Sequence, residues 1–253
     1  MPLHESFSRF YDADGFTYHV ERRISYTECG PRGTLNLFDF LRMTTDISSE
    51  DIFHRGTSMP FLVNHGMARM LARSAFRFYR MPRINERIEF VTTEWKAETL
   101  LFVRDYKIKS ESGELLAEGL SKWFLTDFAT RKILLSKAIL PYRKLNTVPY
   151  PGKLSCGKIR IPENLEKIGE VKIGRSHLDG NNHTDNAFYG AFIVDALPNE
   201  LAELPLNELG VNYTRELLLG DTVELYLSKS GENGYVVVGK KNAEVAFAGE
   251  LAF

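Results

Sequence analysis

A short polar segment, residues 179–186, holds side chains suited to chemistry on a carbonyl group. It reads Asp-Gly-Asn-Asn-His-Thr-Asp-Asn and is followed by an apolar run, residues 187–197, that Pro198 ends. Such a run predicts a buried helix that begins beside the polar side chains. The first N–H groups of a helix carry a partial positive charge. His183 and these amides would therefore meet at one point, where they could act on a carbonyl.

The pattern that contains this segment occurs twice in the chain. A shift of 149 residues aligns Ile24 with Ile173 and Asp46 with Asp195. Further along, residues 87–91 correspond to residues 222–226, and each stretch follows a turn. Few residues are identical, so the interpretation rests on the hydrophobic pattern, which predicts an internal duplication.

The first copy is a natural comparison for the polar segment. At three positions it has Gly30, Arg32 and Thr34 in place of Asp179, Asn181 and His183. The structural needs of a strand-to-helix turn are shared by both copies, and Thr184 or Asp185 alone could cap the second helix. The additional polar side chains of the second copy therefore favour a function. A metal site is the weaker interpretation, because the spacing of His177, Asp179 and His183 matches no zinc signature.

A second candidate is the isolated acid Glu216, which we predict on a strand over residues 208–216. Its counterpart in the first half is Met81, so again only the second half has a titratable group. Taken alone, Glu216 is typical of a solvated strand carboxylate or of an ion-pair partner for Arg215. Its importance depends on whether it lies near the polar segment.

The composition argues against several classes of function. The chain has 253 residues, is 43% hydrophobic and 26% charged, and has a net charge of −1, whereas nucleic-acid-binding domains are usually strongly basic. No apolar run is long enough to span a membrane, and residues 1–15 lack the order of a signal peptide, so we expect a cytoplasmic protein. Cys29 and Cys156 form neither a disulfide framework nor a metal-ligand set, and both are expected to be free thiols.

The hydrophobic periodicity predicts an α+β protein in which each half is an antiparallel sheet around a central helix, the tandem hot-dog fold. Strands are predicted over 68–78, 87–97, 100–110 and 114–126 in the first half. Those of the second half are predicted over 170–176, 208–216, 221–229, 234–241 and 244–252. The domain boundaries are then 1–135 for the first half, 136–168 for a proline-containing linker, and 169–253 for the second half.

The two polar segments together resemble the acyl-(acyl carrier protein) thioesterases of plants and bacteria, and the chain is similar to a bacterial-type member. That family has an Asp-x-Asn-x-His-x-x-Asn motif, met here by Asp179, Asn181, His183 and Asn186. It also has a Tyr-x-Arg-Glu strand further along, met here by residues 213–216. In the first half, residues 28–30, 103–106, 121–124 and 130–132 and the strand around Trp95 also resemble family segments. The resemblance covers nearly the whole chain.

This resemblance implies a hydrolase that releases fatty acids from acyl carrier protein, with Asp179, Asn181, His183 and Glu216 as catalytic residues, Asn186 in support, and no cofactor or metal. Plant members commonly have a cysteine directly after the strand glutamate, but this chain has Leu217. We therefore expect attack by water rather than by cysteine. Hydrolysis of acyl-coenzyme A is the alternative, and a dehydratase or hydratase is disfavoured because such sites lack the distal glutamate. A non-catalytic acyl sensor is a third possibility, although no DNA-binding segment is apparent.

The resemblance also implies surfaces for the acyl chain and for the carrier protein with its phosphopantetheine-linked substrate. The candidates for an acyl tunnel in the first half are Phe38, Phe40, Met43, Met70, Phe76 and Trp95, although apolar residues in such a pattern are usually core. Residues 68–78 alternate, which predicts a half-buried strand with outward arginines. Arg69, Arg73 and Arg77 would then form a docking face for an acidic carrier protein, or simply a solvated face. Two fused halves complete one hot-dog pair, so the chain is expected to act as a monomer or a homodimer.

Overall fold

In the computed structural model, which describes residues 7–202 and 204–253, the chain forms two similar halves in sequence. The strands of the first half are β1 (Arg9–Tyr11), β2 (Thr17–Arg23), β3 (Met67–Phe78), β4 (Arg87–Glu94), β5 (Leu101–Ser110), β6 (Leu115–Asp127) and β7 (Ile133–Leu134). Its helices are α1 (Leu37–His54) and α2 (Met59–Asn64). The second half contains β8 (Glu166–Lys172), α3 (Asn186–Asp195), α4 (Asn199–Ala202), β9 (Glu208–Tyr213), β10 (Thr222–Ser230), β11 (Gly234–Lys241) and β12 (Glu244–Ala252). Short 3₁₀ turns lie at Tyr26–Glu28, Ser136–Ile139 and Arg175–His177.

All the strands belong to one antiparallel sheet that runs through both halves. Its order is β1-β2-β4-β5-β6-β3-β9-β12-β11-β10-β8, and β7 pairs with β6. The halves join where β3 pairs with β9, from Arg73 opposite Asn212 to Arg77 opposite Glu208. The predicted domain boundaries stay predictions, because the sheet itself continues from one half into the other.

The two long helices pack against each other inside this sheet. Phe40 of α1 and Ile193 of α3 are both fully buried in a core that extends through both halves. A glycine makes the close approach possible, since a Cβ at Gly190 would lie only 2.4 Å from Leu41 Cδ1. A buried helix covered by an antiparallel sheet, repeated once, is the tandem hot-dog fold, which confirms the predicted α+β class. No helix within residues 7–202 and 204–253 is long and apolar enough to cross a membrane.

The hydrogen bonds confirm the predicted duplication residue by residue. The amide of Gly30 donates to Thr34 O at 2.9 Å, and the amide of Asp179 donates to His183 O at 2.8 Å. In the same way, the amide of Leu35 donates to Pro82 O at 2.8 Å, and the amide of Thr184 donates to Leu217 O at 2.9 Å. The helices begin at matching positions, because α1 is capped by Asn36 and α3 by Asp185. The two strand-to-helix turns are therefore structural equivalents.

Two strands of the second half differ from the predicted bounds by more than one residue. Strand β8 covers Glu166–Lys172, and the chain then leaves the sheet for the turn at Arg175–His177. Strand β9 ends at Tyr213, because the amides of Thr214 and Arg215 both donate to Ala246 O, at 2.8 and 3.0 Å. One carbonyl that accepts two successive amides ends the regular ladder. The prediction that Glu216 lies on a strand is therefore wrong.

The predicted alternation of β3 breaks at a β-bulge. Leu71 pairs with Trp123, but Arg73 pairs with Lys122, so Ala72 is an additional residue without a cross-strand partner. Trp123 and Lys122 are consecutive on β6, so Leu71 and Arg73 point to opposite faces of the sheet. Arg69 shares the face of Leu71 and is buried. The prediction that Arg69 points outward with the other arginines of this strand is wrong.

Candidate active site

A crevice of about 590 Å³ opens between the two halves at the start of α3. The polar segment and Glu216 line one side of it. The first half supplies the opposite side, which includes Thr45 and Ser49 of α1, Leu71 of β3 and Trp123 of β6. The sheet topology therefore brings residues far apart in sequence to one cavity with both polar and apolar walls.

His183 and Glu216 face each other in this crevice. His183 Nε2 lies 3.7 Å from Glu216 Oε2, and the two side chains are 20% and 35% exposed. This distance is longer than a hydrogen bond and too short for a water molecule to lie between the two atoms. Both groups line the crevice, so a water molecule beside the pair could contact the imidazole and the carboxylate together.

Hydrogen bonds from Thr184 fix the distance between the two catalytic candidates. Its amide and its Oγ1 both donate to Leu217 O, each at 2.9 Å. Thr184 follows His183 and Leu217 follows Glu216, so this pair of bonds ties the two neighbouring backbones together. Thr184 is buried, which protects these bonds from competition with water.

Asp179 organises the backbone of the polar segment. Its Oδ1 accepts the amides of Asn181 and His183 at 2.8 and 3.1 Å, and its Oδ2 lies 3.3 Å from Asn181 Nδ2. Asn182 has a φ of 62°, a left-handed conformation that asparagine tolerates well. A carboxylate this close to a histidine in sequence is expected to hold the imidazole in one orientation. The hydrogen bonds of Asp179 run to the backbone of the turn and to the Asn181 carboxamide rather than to the His183 imidazole, so Asp179 positions His183 through the turn.

The start of α3 completes this side of the crevice. Asp185 caps the helix, because its Oδ1 accepts the amide of Ala187 at 2.8 Å and its carbonyl accepts the amide of Phe188 at 3.0 Å. Asn186 is the first helical residue and lines the crevice. The helix N-terminus thus directs partial positive charge toward the site.

Arg131 of the first half contacts Glu216 directly, and sequence reasoning gave it no role. Arg131 Nη1 donates to Glu216 Oε1 at 3.1 Å. Arg131 lies in the tight turn between β6 and β7 with a φ of 60°, and Asp127 Oδ1 holds this turn by accepting the amide and hydroxyl of Thr130. The segment 130–132 resembled the family, but nothing in its sequence indicated which residue it would meet.

The tunnel candidates lie in several places. Of the six, only Met70 is among the described residues that line the 590 Å³ crevice. Phe40, Met43 and Phe76 are buried in the shared core. Phe38 packs against Phe188 with ring centroids 4.6 Å apart, and Trp95 packs with Tyr150. The assignment of individual tunnel residues stays a prediction.

The three arginines predicted to dock the carrier protein differ in burial and in pairing. Arg69 is buried beneath the sheet, with its guanidinium 4.5 Å from the Trp123 ring centroid. Arg77 is 42% exposed and bonds to Glu208 at 2.8 Å, so part of its charge is neutralised. Arg73 is half-buried on the outer side of β3. Of the three, Arg73 and Arg77 lie on the outer side of β3, and their role in docking stays a prediction.

Neither cysteine is placed to attack a substrate in this crevice. Burial raises the pKa of Cys156 to about 12, which keeps it a thiol. Burial also raises the pKa of Cys29, which lies in the turn of the first half. Within the described part of the chain, no group of three or more His, Cys, Asp or Glu side chains is arranged to bind a metal ion.

The fold and the site define a tandem hot-dog protein with a polar site at the start of its second long helix. Residues 15–137 match the sequence profile of the acyl-ACP thioesterase N-terminal domain, and residues 162–246 match that of the C-terminal domain. The chain therefore belongs to the acyl-ACP thioesterase family.

Two plant proteins are among its sequence relatives. The oleoyl-acyl carrier protein thioesterases 1 and 2 (chloroplastic) of Arabidopsis thaliana are 24% and 21% identical to it. The alignments cover 87% and 88% of this chain and 66% of each relative. The chain thus spans just under two thirds of the length of these plant proteins.

Solved structures support the fold over almost the full chain. An acyl-ACP thioesterase from Bacteroides thetaiotaomicron has a TM-score of 0.85 at 20% identity, with 96% of this chain and 100% of that chain covered. A 12:0-ACP thioesterase from Umbellularia californica has a TM-score of 0.81 at 14% identity, with 93% and 96% covered. At such identities the likeness supports the tandem hot-dog architecture alone.

Proposed function

We propose that this protein hydrolyses the thioester of fatty acyl-(acyl carrier protein), releasing a free fatty acid and the carrier with its phosphopantetheine thiol. Membership of the family supports this reaction class. The observation that carries the assignment of the site is the 3.7 Å separation of His183 Nε2 and Glu216 Oε2 across an open crevice. Such a pair can orient a water molecule for attack on a carbonyl carbon.

In the proposed mechanism Glu216 accepts a proton from this water, since an ionised carboxylate is an acceptor only. The water oxygen forms a bond to the thioester carbon while His183 orients it. A general base in such a position contributes about 10²–10⁴-fold to the rate. The carbon–sulfur bond then breaks, the thiolate of the carrier leaves, and the proton held by Glu216 is returned to that sulfur.

The negative charge on the carbonyl oxygen would be stabilised at the start of α3. The amides of Ala187 and Phe188 already bond to Asp185, so the oxyanion site would use the amide of Asn186. The carboxamide of Asn181 lines the same crevice and would position the water or the carbonyl. Arg131 would hold the Glu216 carboxylate toward the crevice from its other side.

A mixed pool of acyl carrier proteins tests the reaction and its chain-length preference together. The protein is expected to release free acids from this pool, which mass spectrometry identifies, and to act more slowly on the matching acyl-coenzyme A thioesters. Equal or faster turnover of the coenzyme A thioesters would instead support the alternative substrate. If no free acid were released from either class of thioester, the proposal would be contradicted.

A charge reversal tests whether the outer face of β3 docks the carrier protein. Arg73→Glu is expected to raise KM for acyl-(acyl carrier protein) about tenfold and to leave KM for a small acyl thioester unchanged, because steering acts on the acidic protein. Arg73 is the better position for this charge reversal than Arg77, because a change at Arg77 would also break its ion pair with Glu208.

Lys229→Glu is the matched control for this reversal, since Lys229 is an exposed strand residue on β10, far from β3 in the sheet order. Lys229→Glu is expected to change neither KM. Equal effects of Arg73→Glu on both substrates would show that this face does not bind the carrier.

We infer that one chain suffices for activity, because both halves of the hot-dog pair are present in it.

A further inference from the structure

A second crevice, of about 510 Å³, lies at the position that the duplication relates to the active site. It opens at the turn before α1, where Gly30, Arg32 and Thr34 replace the polar residues of the second half. Met81 occupies the place of Glu216. The first half therefore has a cavity of similar size at the corresponding position, but it lacks the counterparts of His183 and Glu216.

The walls of the two crevices correspond in detail. In the active site, the opposite half contributes Thr45 from the middle of α1 and Leu71 from β3. In the second crevice, the matching positions are Val194 near the end of α3 and Leu206 just before β9. The same backbone bond, from Leu35 to Pro82 O, closes the turn. The second crevice is thus a built feature of the fold.

Its chemistry differs from that of the active site in two ways. Apolar side chains dominate its walls, among them Leu37, Phe78, Met81, Val194, Leu206 and Phe253. Its charged side chains are Arg32, Arg80 and Arg83, and none of the described side chains that line it is a carboxylate. The active-site crevice has acidic residues, including Asp46 and Glu216. The second crevice therefore combines an apolar wall with positive charge.

Not all of that positive charge is available to a ligand. Arg80 already bonds to Glu86 at 2.7 Å and to Glu114 at 2.8 Å. Arg83 is exposed at the rim, whereas Arg32, which is also exposed there, already has an interaction within the protein. A ligand that fits would place an aliphatic chain against the leucines and phenylalanines and an anionic end at this rim.

We propose that the second crevice binds a long-chain carboxylate, the chemical class of the product that the proposed reaction releases. This inference rests on the proposed function for the source of the ligand, but the binding itself requires no catalysis. With methionine at the position of Glu216 and threonine at that of His183, the crevice holds the acid without acting on a thioester. Each protein chain would then bind two aliphatic chains, one in each crevice.

Titration with cis-parinaric acid, a fluorescent long-chain carboxylate, tests this proposal. The wild-type protein is expected to bind two molecules per chain. Leu206→Trp fills the second crevice and is expected to bind one, with hydrolysis of a small thioester unchanged. Its matched counterpart is Leu71→Trp, which fills the active-site crevice; it is expected to keep the second molecule and lose hydrolysis.

Two additional arms test the role of the charge. Arg83→Glu, at an exposed position that leaves the core intact, is expected to weaken the second site about tenfold by placing a negative charge beside the carboxylate. The methyl ester of the same acid is expected to bind only one molecule per chain.

Several results would overturn the proposal. These are one molecule per wild-type chain, two molecules in Leu206→Trp, or equal binding of the methyl ester at both sites. A concentration-dependent dimer that Leu206→Trp abolishes would show instead that a second copy of the chain occupies the crevice. Absence of hydrolysis with two bound acids would contradict the proposed function and leave this binding site standing.

Discussion

Replacement of His183 or Glu216 by alanine is expected to lower kcat by about 10²–10⁴-fold while the protein remains folded. Each change removes one of the two groups that would hold the attacking water. Both side chains project into the crevice, so their loss leaves the core packing unchanged. The measurement is the rate of free acid release at saturating substrate, with the thermal unfolding midpoint recorded for each variant.

Glu224→Ala is the matched control for Glu216→Ala. The Glu224 side chain is 36% exposed and pairs with Lys167 at 2.5 Å, whereas that of Glu216 is 35% exposed and pairs with Arg131 at 3.1 Å. The two substitutions therefore remove similar surface ion pairs, and their effects on stability should match. Near-normal kcat in both His183→Ala and Glu216→Ala would reject the assigned site.

The substitution Glu94→Gln is expected to reduce the free energy of unfolding by about 3–5 kcal/mol. Glu94 is fully buried, and four arginines surround its carboxylate: Arg55, Arg69, Arg104 and Arg143. Asp51, which pairs with Arg104, is the other buried acid of this cluster. Removal of the Glu94 charge would leave four buried guanidinium groups with one carboxylate. Chemical denaturation monitored by fluorescence measures the change.

Glu208→Gln is the control for this loss of charge, since it breaks the exposed pair with Arg77 and should cost less than about 1 kcal/mol. Burial alone would raise the pKa of Glu94, but the four surrounding guanidinium groups outweigh it and hold that pKa well below its usual value of 4.5. In the unfolded chain Glu94 takes up a proton near that value. Above pH 4.5 the wild-type protein therefore has a larger free energy of unfolding than Glu94→Gln. This difference becomes progressively smaller as the pH falls below 4.5. A difference that is constant from pH 7 to pH 3 would contradict the ion-pair account.

The sequence was sufficient for the parts of the fold that depend on local pattern. Strands β11 and β12 have the predicted bounds, because each is a short, largely apolar run that begins after turn residues. Asp185 caps α3 as its residue type predicts. The duplication could be predicted for the same reason, since the hydrophobic pattern repeats even where residues such as Gly30 and Asp179 differ.

Features that depend on pairing between distant residues could not be predicted in this way. Arg69 was expected to face outward, but the extra residue Ala72 shifts the register and turns Arg69 inward beside Glu94. The end of β9 depends on the carbonyl of Ala246, which is remote in sequence. The contact of Arg131 with Glu216 likewise requires the two halves to be in place. Local sequence contains none of this information.

The central claim is that water held by His183 and Glu216 attacks the thioester directly, and a single-turnover reaction in H₂¹⁸O tests it. With protein in excess over acyl-(acyl carrier protein), each released acid is expected to contain one ¹⁸O atom from the solvent, measured by mass spectrometry. Attack by the carboxylate of Glu216 would form an acyl anhydride, and water attack on the enzyme carbonyl would then release the acid with an oxygen from the protein. Unlabelled acid in the first turnover would therefore contradict the account.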